Sequence, residues 1–465
     1  MKHFLRYGTN AGQKYFHTDG LDSLYDAVVI NANMIAFSPA ALANFVVKKT
    51  TNKPFFIDPI THAFQHNQSF ICDKSGSKIK KSISKLIDAY GEDLKNIVCK
   101  ESEKDYLSKK RLYPSDINSR FIKSFTQNVL DFQKNVSKEK KVDEYKDYID
   151  FANQEDPSLE LETRLEPEFL VAPYFYLDDL AWLDNNIGMI EEAKKIEYEK
   201  DIFAQIVIDK TIIEKAAMGD DVHFNKIIKS YQECSADGFL VWIDDYSEHH
   251  EITENLNKYV EFLKGIKNGT NKKIYSLYGS YFSIMLTHPK IGVLDGVCHG
   301  LEYGEARAVV PVGGGIPTAK YYFYPLHKRI DEAEMFNFLT SEIVSNFCQD
   351  ICDCTVCKTI MKNEDYIKRF NENFGNTEES RIKMRNGGFI TRHYPSTKTK
   401  DNSLRHYLLM KYKEFNNVIN LDNLDTIKDQ LKNDYAKYKN SFNSSDTKHL
   451  IEWKKALDKC SNIDE

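Results

Sequence analysis

The sequence predicts an α/β protein built on a (β/α)8 barrel, with insertions and a helical C-terminal subdomain. Three observations carry this. Short apolar runs end in polar or glycine-containing segments, and each run is nearly continuous in apolar residues, as in strands buried on both faces of a parallel sheet. Segments with apolar residues at helical spacing lie between the runs. Seven or eight such units over about 320 residues suit a closed barrel better than an open sheet.

In chain order, the expected strands are Ala27 to Ile30, Pro54 to Ile57, Glu168 to Tyr176, Ile202 to Ile208, Gly238 to Ile243, Lys273 to Leu277 and Val293 to Val297. Helical spacing marks Asp178 to Lys194, Lys210 to Cys234 and Glu251 to Ile266. Residues 100–165 are charged and poor in glycine, with a Lys-rich piece at Lys134 to Lys141, and predict a helical insertion on the barrel. The barrel domain is expected over 1–350 and the C-terminal subdomain over 351–465, helical and hydrophilic from Glu364 onward. The glycine-rich run from Val310 to Pro317 lacks the Gly-Lys-Ser/Thr ending of a phosphate loop and is expected to be a surface or lid loop.

Charge and composition narrow the function classes. With 69 acidic and 63 basic residues and a net charge of -6, the chain is not basic overall, so any nucleic-acid contact must be local. Thr391 to Lys413 is one such place: Arg392, Lys398, Lys400, Arg405, Lys411 and Lys413 face only Asp401, and Tyr394, Tyr407 and Tyr412 are interleaved to stack on bases. A solvated helix face has the same composition. Met1 to Asn10 has no apolar signal core, and no stretch is apolar enough to span a bilayer, so a cytoplasmic protein without membrane contact is expected. The odd total of nine cysteines points to thiols or ligands rather than disulfides.

Two constellations carry chemistry. Cys352, Cys354 and Cys357 place three thiols within six residues, a spacing that converges on one small ion. Zinc would need a fourth ligand, for which His393 and His406 are the candidates, and a Cys3His set leaves no open position, so the zinc would be structural. The second constellation is a series of aspartates next to apolar strands: Asp58, Asp178 with Asp179, Asp209, Asp244 with Asp245, and Asp295. At the carboxyl ends of barrel strands such residues form one rim, suited to acid/base or nucleophilic work on a glycosidic bond. A helix N-cap is the bland alternative for each. Asp295, set between apolar residues and near the glycine-rich segment, stands out from the rest.

Taken together, these features resemble the tRNA-guanine transglycosylase superfamily, zinc-bearing (β/α)8 barrels that exchange guanine for a 7-deazaguanine in nucleic acid. Cys352, Cys354 and Cys357 match that family's Cys-x-Cys-x-x-Cys, and Arg405-His406-Tyr407-Leu408-Leu409 is similar to the helix carrying its fourth ligand, which favours His406 over His393. Leu294-Asp295-Gly296-Val297-Cys298 resembles the nucleophile motif, which implies Asp295 as nucleophile. Asp58-Pro59-Ile60-Thr61-His62-Ala63-Phe64-Gln65 keeps the Asp and the Phe-Gln ending of the motif that carries the acid/base, which implies that role for Asp58. By the same resemblance Asp178 or Asp179 recognises the base and Asp209 occupies a neighbouring strand end; Tyr278 and Phe282 are candidates to stack on that base, with core packing the commoner role of such aromatics, and Gly279 is a substrate-binding candidate beside them. The family's Gln-Gly and Gly-Gly-Leu motifs are absent, which shifts the resemblance from bacterial tRNA enzymes toward the branch that inserts 7-deazaguanines into DNA. The implied partners are nucleic acid, DNA before tRNA, a 7-deazaguanine base such as preQ0, and a partner ATPase or other modification-system protein. Relatives form dimers.

Overall fold

The computed structural model describes residues 1–7, 20–39, 45, 53–66, 70–73, 76–101, 105–138, 147, 150–151, 154–156, 166–197, 199–268, 270–301, 304–310, 318–341, 344–361, 365–383, 387–421 and 423–461. At its centre eight parallel strands make one sheet: β1 (Lys2–Arg6), β2 (Ala27–Asn31), β3 (Phe55–Asp58), β4 (Leu170–Val171), β5 (Ile202–Ile208), β6 (Gly238–Ile243), β7 (Lys273–Ser276) and β8 (Gly296–His299). Their order is β3-β2-β1-β8-β7-β6-β5-β4. The two edges then meet, because the Glu168 amide before β4 donates to the Phe55 carbonyl of β3 at 2.8 Å. The result is the expected barrel, nearly closed.

Alternation along each strand divides two cores. On β5, Ile202, Ala204, Ile206 and Ile208 pack outward under the helices, while Phe203 and Val207 point into the lumen with Phe4, Val29, Phe56, Val171, Leu240, Trp242, Tyr275 and Cys298. The outer layer is made by helices such as Ala181–Ile196, Val222–Glu233 and Thr253–Lys267, each burying one apolar stripe.

Several boundaries differ from expectation for physical reasons. Strand β1 was not foreseen, since Lys2, His3 and Arg6 disguise a strand whose Phe4 and Leu5 are buried. The run Glu168 to Tyr176 contributes only Leu170–Val171 to the ladder. Pro173 has no N–H to give, and the following amides turn to side chains instead: Tyr174 to Thr61 Oγ1 at 2.9 Å, Phe175 to Asn186 Oδ1 at 2.8 Å and Tyr176 to Gln65 Oε1 at 2.7 Å. The helix expected over Lys210 to Cys234 is two, Lys210–Ala217 and Val222–Glu233, parted at Gly219 with φ +96°. The last strand begins at Gly296, three residues later than expected.

Between β3 and β4 the excursion contains the helices Lys81–Tyr90, Glu92–Val98 and Ser119–Lys134 and a small antiparallel pair, Cys99–Glu101 with Tyr106–Ser108. Parts of the 100–165 stretch and residues 311–317 of the glycine-rich loop lie outside the described residues. After the barrel, the antiparallel pair Lys320–Phe323 and Lys328–Asp331 leads to helices Thr397–Asn420, Leu424–Tyr438 and His449–Ser461. A hairpin, Thr377–Lys383 with Phe389–Pro395, interrupts the run expected to be helical. The last helix docks on the barrel: Trp453 is fully buried and its Nε1 donates to the Glu248 carbonyl at 2.9 Å. Among the described residues no helix is long and apolar enough to cross a membrane.

Candidate active site and metal centre

The carboxyl mouth of the barrel is built around Asp58, the last residue of β3 and 1% exposed. Its Oδ1 accepts from the Ile60 amide at 3.0 Å and the Tyr174 hydroxyl at 2.7 Å, and its Oδ2 accepts from Arg6 Nη1 at 3.1 Å. Arg6, at the end of β1, also donates to Asn31 Oδ1 at 2.6 Å and lies over the Tyr278 ring at 4.7 Å. Burial alone would raise the Asp58 pKa, but Arg6, the neighbouring His62, the Tyr174 hydroxyl and the Ile60 amide outweigh it and hold the group below the ordinary carboxylate value. Asp58 is therefore a buried, ionised carboxylate facing the lumen.

His62 extends this cluster. Its Nδ1 sits 2.9 Å from the Tyr174 hydroxyl, and burial lowers its pKa to about 3, so the imidazole is neutral. The ring meets Trp242 edge-on at 5.3 Å. Trp242 Nε1 in turn donates to the Arg307 carbonyl at 3.0 Å, and Arg307 Nη1 reaches the Tyr278 hydroxyl at 3.4 Å, so the segment after β8 leans across the mouth. Cys298 of β8, its thiol pushed up to about 11 by burial, completes the ring of lumen groups beside Arg6.

A second carboxylate set lies at the same end. The Tyr176 hydroxyl stands 2.7 Å from both Asp209 Oδ2 and Asp244 Oδ2. One phenolic proton cannot be given to both, so the three groups form a proton-sharing set. Backbone amides hold the other oxygens, Thr211 on Asp209 at 2.8 Å and Val309 on Asp244 at 2.6 Å. Asp209 thus combines an N-cap with a contact at the mouth. Asp179 accepts from the Ala181 amide at the start of the next helix at 2.9 Å, and Asp178 beside it is exposed. Tyr278 lines the lumen. Gly279 is set by packing, since a Cβ there would fall 2.6 Å from Val297 Cγ1 and 2.7 Å from Ser283 Cβ.

Asp295 is elsewhere. It precedes β8 rather than ending a strand, and its carbonyl accepts from the Lys2 amide at the start of β1 at 2.9 Å. Its Oδ2 accepts from the Ile274 amide at 2.9 Å and from Lys267 Nζ at 3.0 Å. It ties the beginnings of β1, β7 and β8 together at the amino end of the barrel, so the structure does not bring Asp295 and Asp58 into one site. The expectation that Asp295 lies inside a strand over Val293 to Val297 and joins the carboxylates of the rim is corrected, because the apolar residues before it belong to the approach to β8, which starts at Gly296. The residues that sequence reasoning left without a role are Arg6, His62, Tyr174, Gln205, Trp242 and Arg307. Only a strand assignment at Lys2–Arg6 and strict alternation along β5 would have pointed two of them inward.

The metal centre matches its motif. Cys352, Cys354, Cys357 and His406 offer ligand atoms that all lie within 4.8 Å of one another. His406 Nδ1 is 3.9, 3.3 and 3.6 Å from the three sulfurs in that order. A zinc tetrahedron with N and S ligands at about 2.0 and 2.3 Å has N to S edges of about 3.6 Å. His406 Nε2 donates to the Tyr322 carbonyl at 2.8 Å, which fixes the tautomer and leaves the Nδ1 lone pair aimed at the sulfurs. Tyr321 stacks on the imidazole at 4.3 Å. Amides of Cys354 and Cys357 donate to Cys352 Sγ and Cys354 Sγ at 3.5 and 3.3 Å. These residues can hold a metal ion such as zinc. His393, on the exposed hairpin, is not among them.

The helix that carries His406 also carries Lys411, which is fully buried and paired with Glu414 at 2.9 Å and Glu305 at 2.6 Å. Glu305 belongs to the same segment as Arg307, so the metal subdomain is anchored to the covering of the mouth. Protein-family models, curated proteins and solved structures yield no match to the chain.

Proposed function

We propose that the chain exchanges guanine in nucleic acid, DNA before tRNA, for a 7-deazaguanine base, with the mouth around Asp58 as its active site and a structural zinc in the Cys3His cluster. The observation that carries this reading is a single ionised carboxylate, fixed by Arg6, Tyr174 and Ile60, at the carboxyl end of an aromatic-lined barrel. The motif resemblance supplies the reaction class.

An Asp58 held ionised has no proton to give at neutral pH, and Asp209, which burial would raise but its Thr211 and Tyr176 contacts hold below the ordinary carboxylate value, has none either. The acid/base role therefore moves to the Tyr176 hydroxyl shared with Asp209 and Asp244, and Asp58 takes the role expected of Asp295. Oδ2 has one protein donor and keeps a free lone pair. It attacks C1′ as the C1′ to N9 bond breaks, and the bonding pair leaves on the base, which takes a proton from the shared set. A glycosyl ester of Asp58 results. The incoming deazaguanine returns a proton to the set from its N9, attacks C1′ and releases the carboxylate. No redox step occurs. A duplex target must present its base flipped out. Zinc, when bound, supplies only folding free energy, since four protein ligands fill its coordination.

A second reading, a non-catalytic nucleic-acid-binding subunit, is favoured by one observation: the lumen holds only one of the two expected catalytic aspartates. Nucleoside mass spectrometry on DNA and tRNA from producing cells tests both. A deazaguanine deoxynucleoside supports DNA exchange, a modified ribonucleoside moves the activity to tRNA, and neither product supports the subunit.

A further inference from the structure

Five buried polar atoms facing the lumen have no hydrogen-bond partner among the described residues of the protein: Nε2 and Oε1 of Gln205, Nε and Nη2 of Arg6, and Nε2 of His62. Gln205 is 1% exposed and lies between Phe203 and Val207 on the inward face of β5. An unpaired amide at such depth is costly, and an apolar side chain would fill the place without that cost. His62 borders Tyr174 and Trp242, Arg6 lies over Tyr278, and Gln205 faces the same lumen from β5, one inward position before Val207, which pairs with Trp242.

Their donor and acceptor characters follow from the bonds already made. The Tyr174 hydroxyl gives its one proton to Asp58, so its oxygen accepts from His62 Nδ1–H. The neutral ring then has a bare lone pair at Nε2. Arg6 offers only donors, and Gln205 offers both. A matching ligand presents a carbonyl oxygen to the guanidinium, an adjacent ring N–H to His62 Nε2, and a further polar group to Gln205, on a planar ring that fits between aromatic walls. That is a lactam edge, as in a 6-oxopurine. Adenine inverts it, setting an amino group against the guanidinium and a bare nitrogen against His62.

We infer that Arg6, His62 and Gln205 are the base-recognition site, reading the lactam edge of a six-membered heteroaromatic ring, in place of Asp178 and Asp179. This rests on the reading of the mouth as a base-exchange site and names what holds the base there.

Calorimetric titration of the full chain with guanine, hypoxanthine, adenine and 1-methylguanine tests it. Guanine and hypoxanthine bind, and adenine and 1-methylguanine bind at least about ten-fold more weakly, because a site built to pair polar groups rejects a ligand that leaves them unpaired. Gln205→Leu weakens guanine at least about ten-fold while its melting temperature stays level or rises, which a merely structural glutamine would not do. No binding of guanine, equal binding of adenine, or unchanged binding by Gln205→Leu overturns the inference. The discrimination between free bases needs no variant to fold. If guanine binds as expected but no modified nucleoside forms in cells, base exchange fails and the recognition site stands. If exchange proceeds undiminished in Gln205→Leu, the recognition site fails alone.

Discussion

Asp58 and Asp295 look alike in the sequence, each beside a short apolar run, yet they sit at opposite ends of the barrel. Asp58 ends β3 and is sealed in the lumen with a guanidinium and a phenol. Asp295 precedes β8 and is about a third exposed, at 36%, bonded to a lysine and to the first amides of its neighbours. The difference is one of position along the strand. In a parallel barrel the carboxyl ends carry loops free to vary, and the amino ends carry stability. A carboxylate that satisfies strand-start amides holds the barrel together, and one facing inward at the other end is placed for chemistry.

The covering of the mouth is tied to the metal subdomain through Glu305 and Lys411. Cys357→Ser or a strong chelator therefore has the largest expected effect. Structural zinc is worth about 10 kcal/mol or more in small domains, so the subdomain helix with Lys411 should come loose and release the Glu305 to Val309 segment. Metal analysis giving about one zinc per chain, and its loss together with a cooperative thermal transition, checks this; a metal-free protein of unchanged melting temperature would break it.

Next comes Asp58→Asn. It leaves the buried Arg6 charge unpaired, which costs roughly 3–5 kcal/mol, and removes the proposed nucleophile. Denaturant unfolding measures the first part. Asp295→Asn sharpens the contrast: it weakens a partly exposed ion pair and one amide contact, a loss on the order of 1 kcal/mol with base exchange retained.

Acid should bite in a defined window. Burial lowers His3, His62 and His249 to about 3 and His66 to about 4 in the folded chain, from an unfolded value near 6.5. Below pH 6.5 the unfolded chain takes up protons that the folded chain refuses, so stability is lost as pH falls from 6.5 toward 3. Asp58 and Glu414, both depressed, add to the loss at the acid end, since their contribution vanishes as pH falls through their folded values. Unfolding in urea at stepped pH measures the slope, and a flat profile between pH 6.5 and 4.5 would contradict it.

Much of this was legible in the residues. Near-continuous apolar runs identify β2, β3, β5, β6 and β7, because strands buried on both faces leave little room for polar side chains. Three closely spaced cysteines and His406 identify the metal ligands, because thiol spacing alone limits where they converge. What the sequence hides is direction. The apolar residues around Asp295 suit either end of a strand, and only the pairing of Gly296 with Lys2 and Tyr275 sets where the ladder starts. Arg6 and Gln205 are hidden for the opposite reason: a polar residue inside a strand reads as surface unless the barrel's inward face is known.

The central claim is that chemistry belongs to the Asp58 end. Nucleoside mass spectrometry on DNA and tRNA from cells making wild type, Asp58→Asn or Asp295→Asn, at matched levels of folded protein, tests it most directly. The account predicts a deazaguanine nucleoside with wild type and Asp295→Asn and none with Asp58→Asn. Product retained in Asp58→Asn and lost in Asp295→Asn would contradict it.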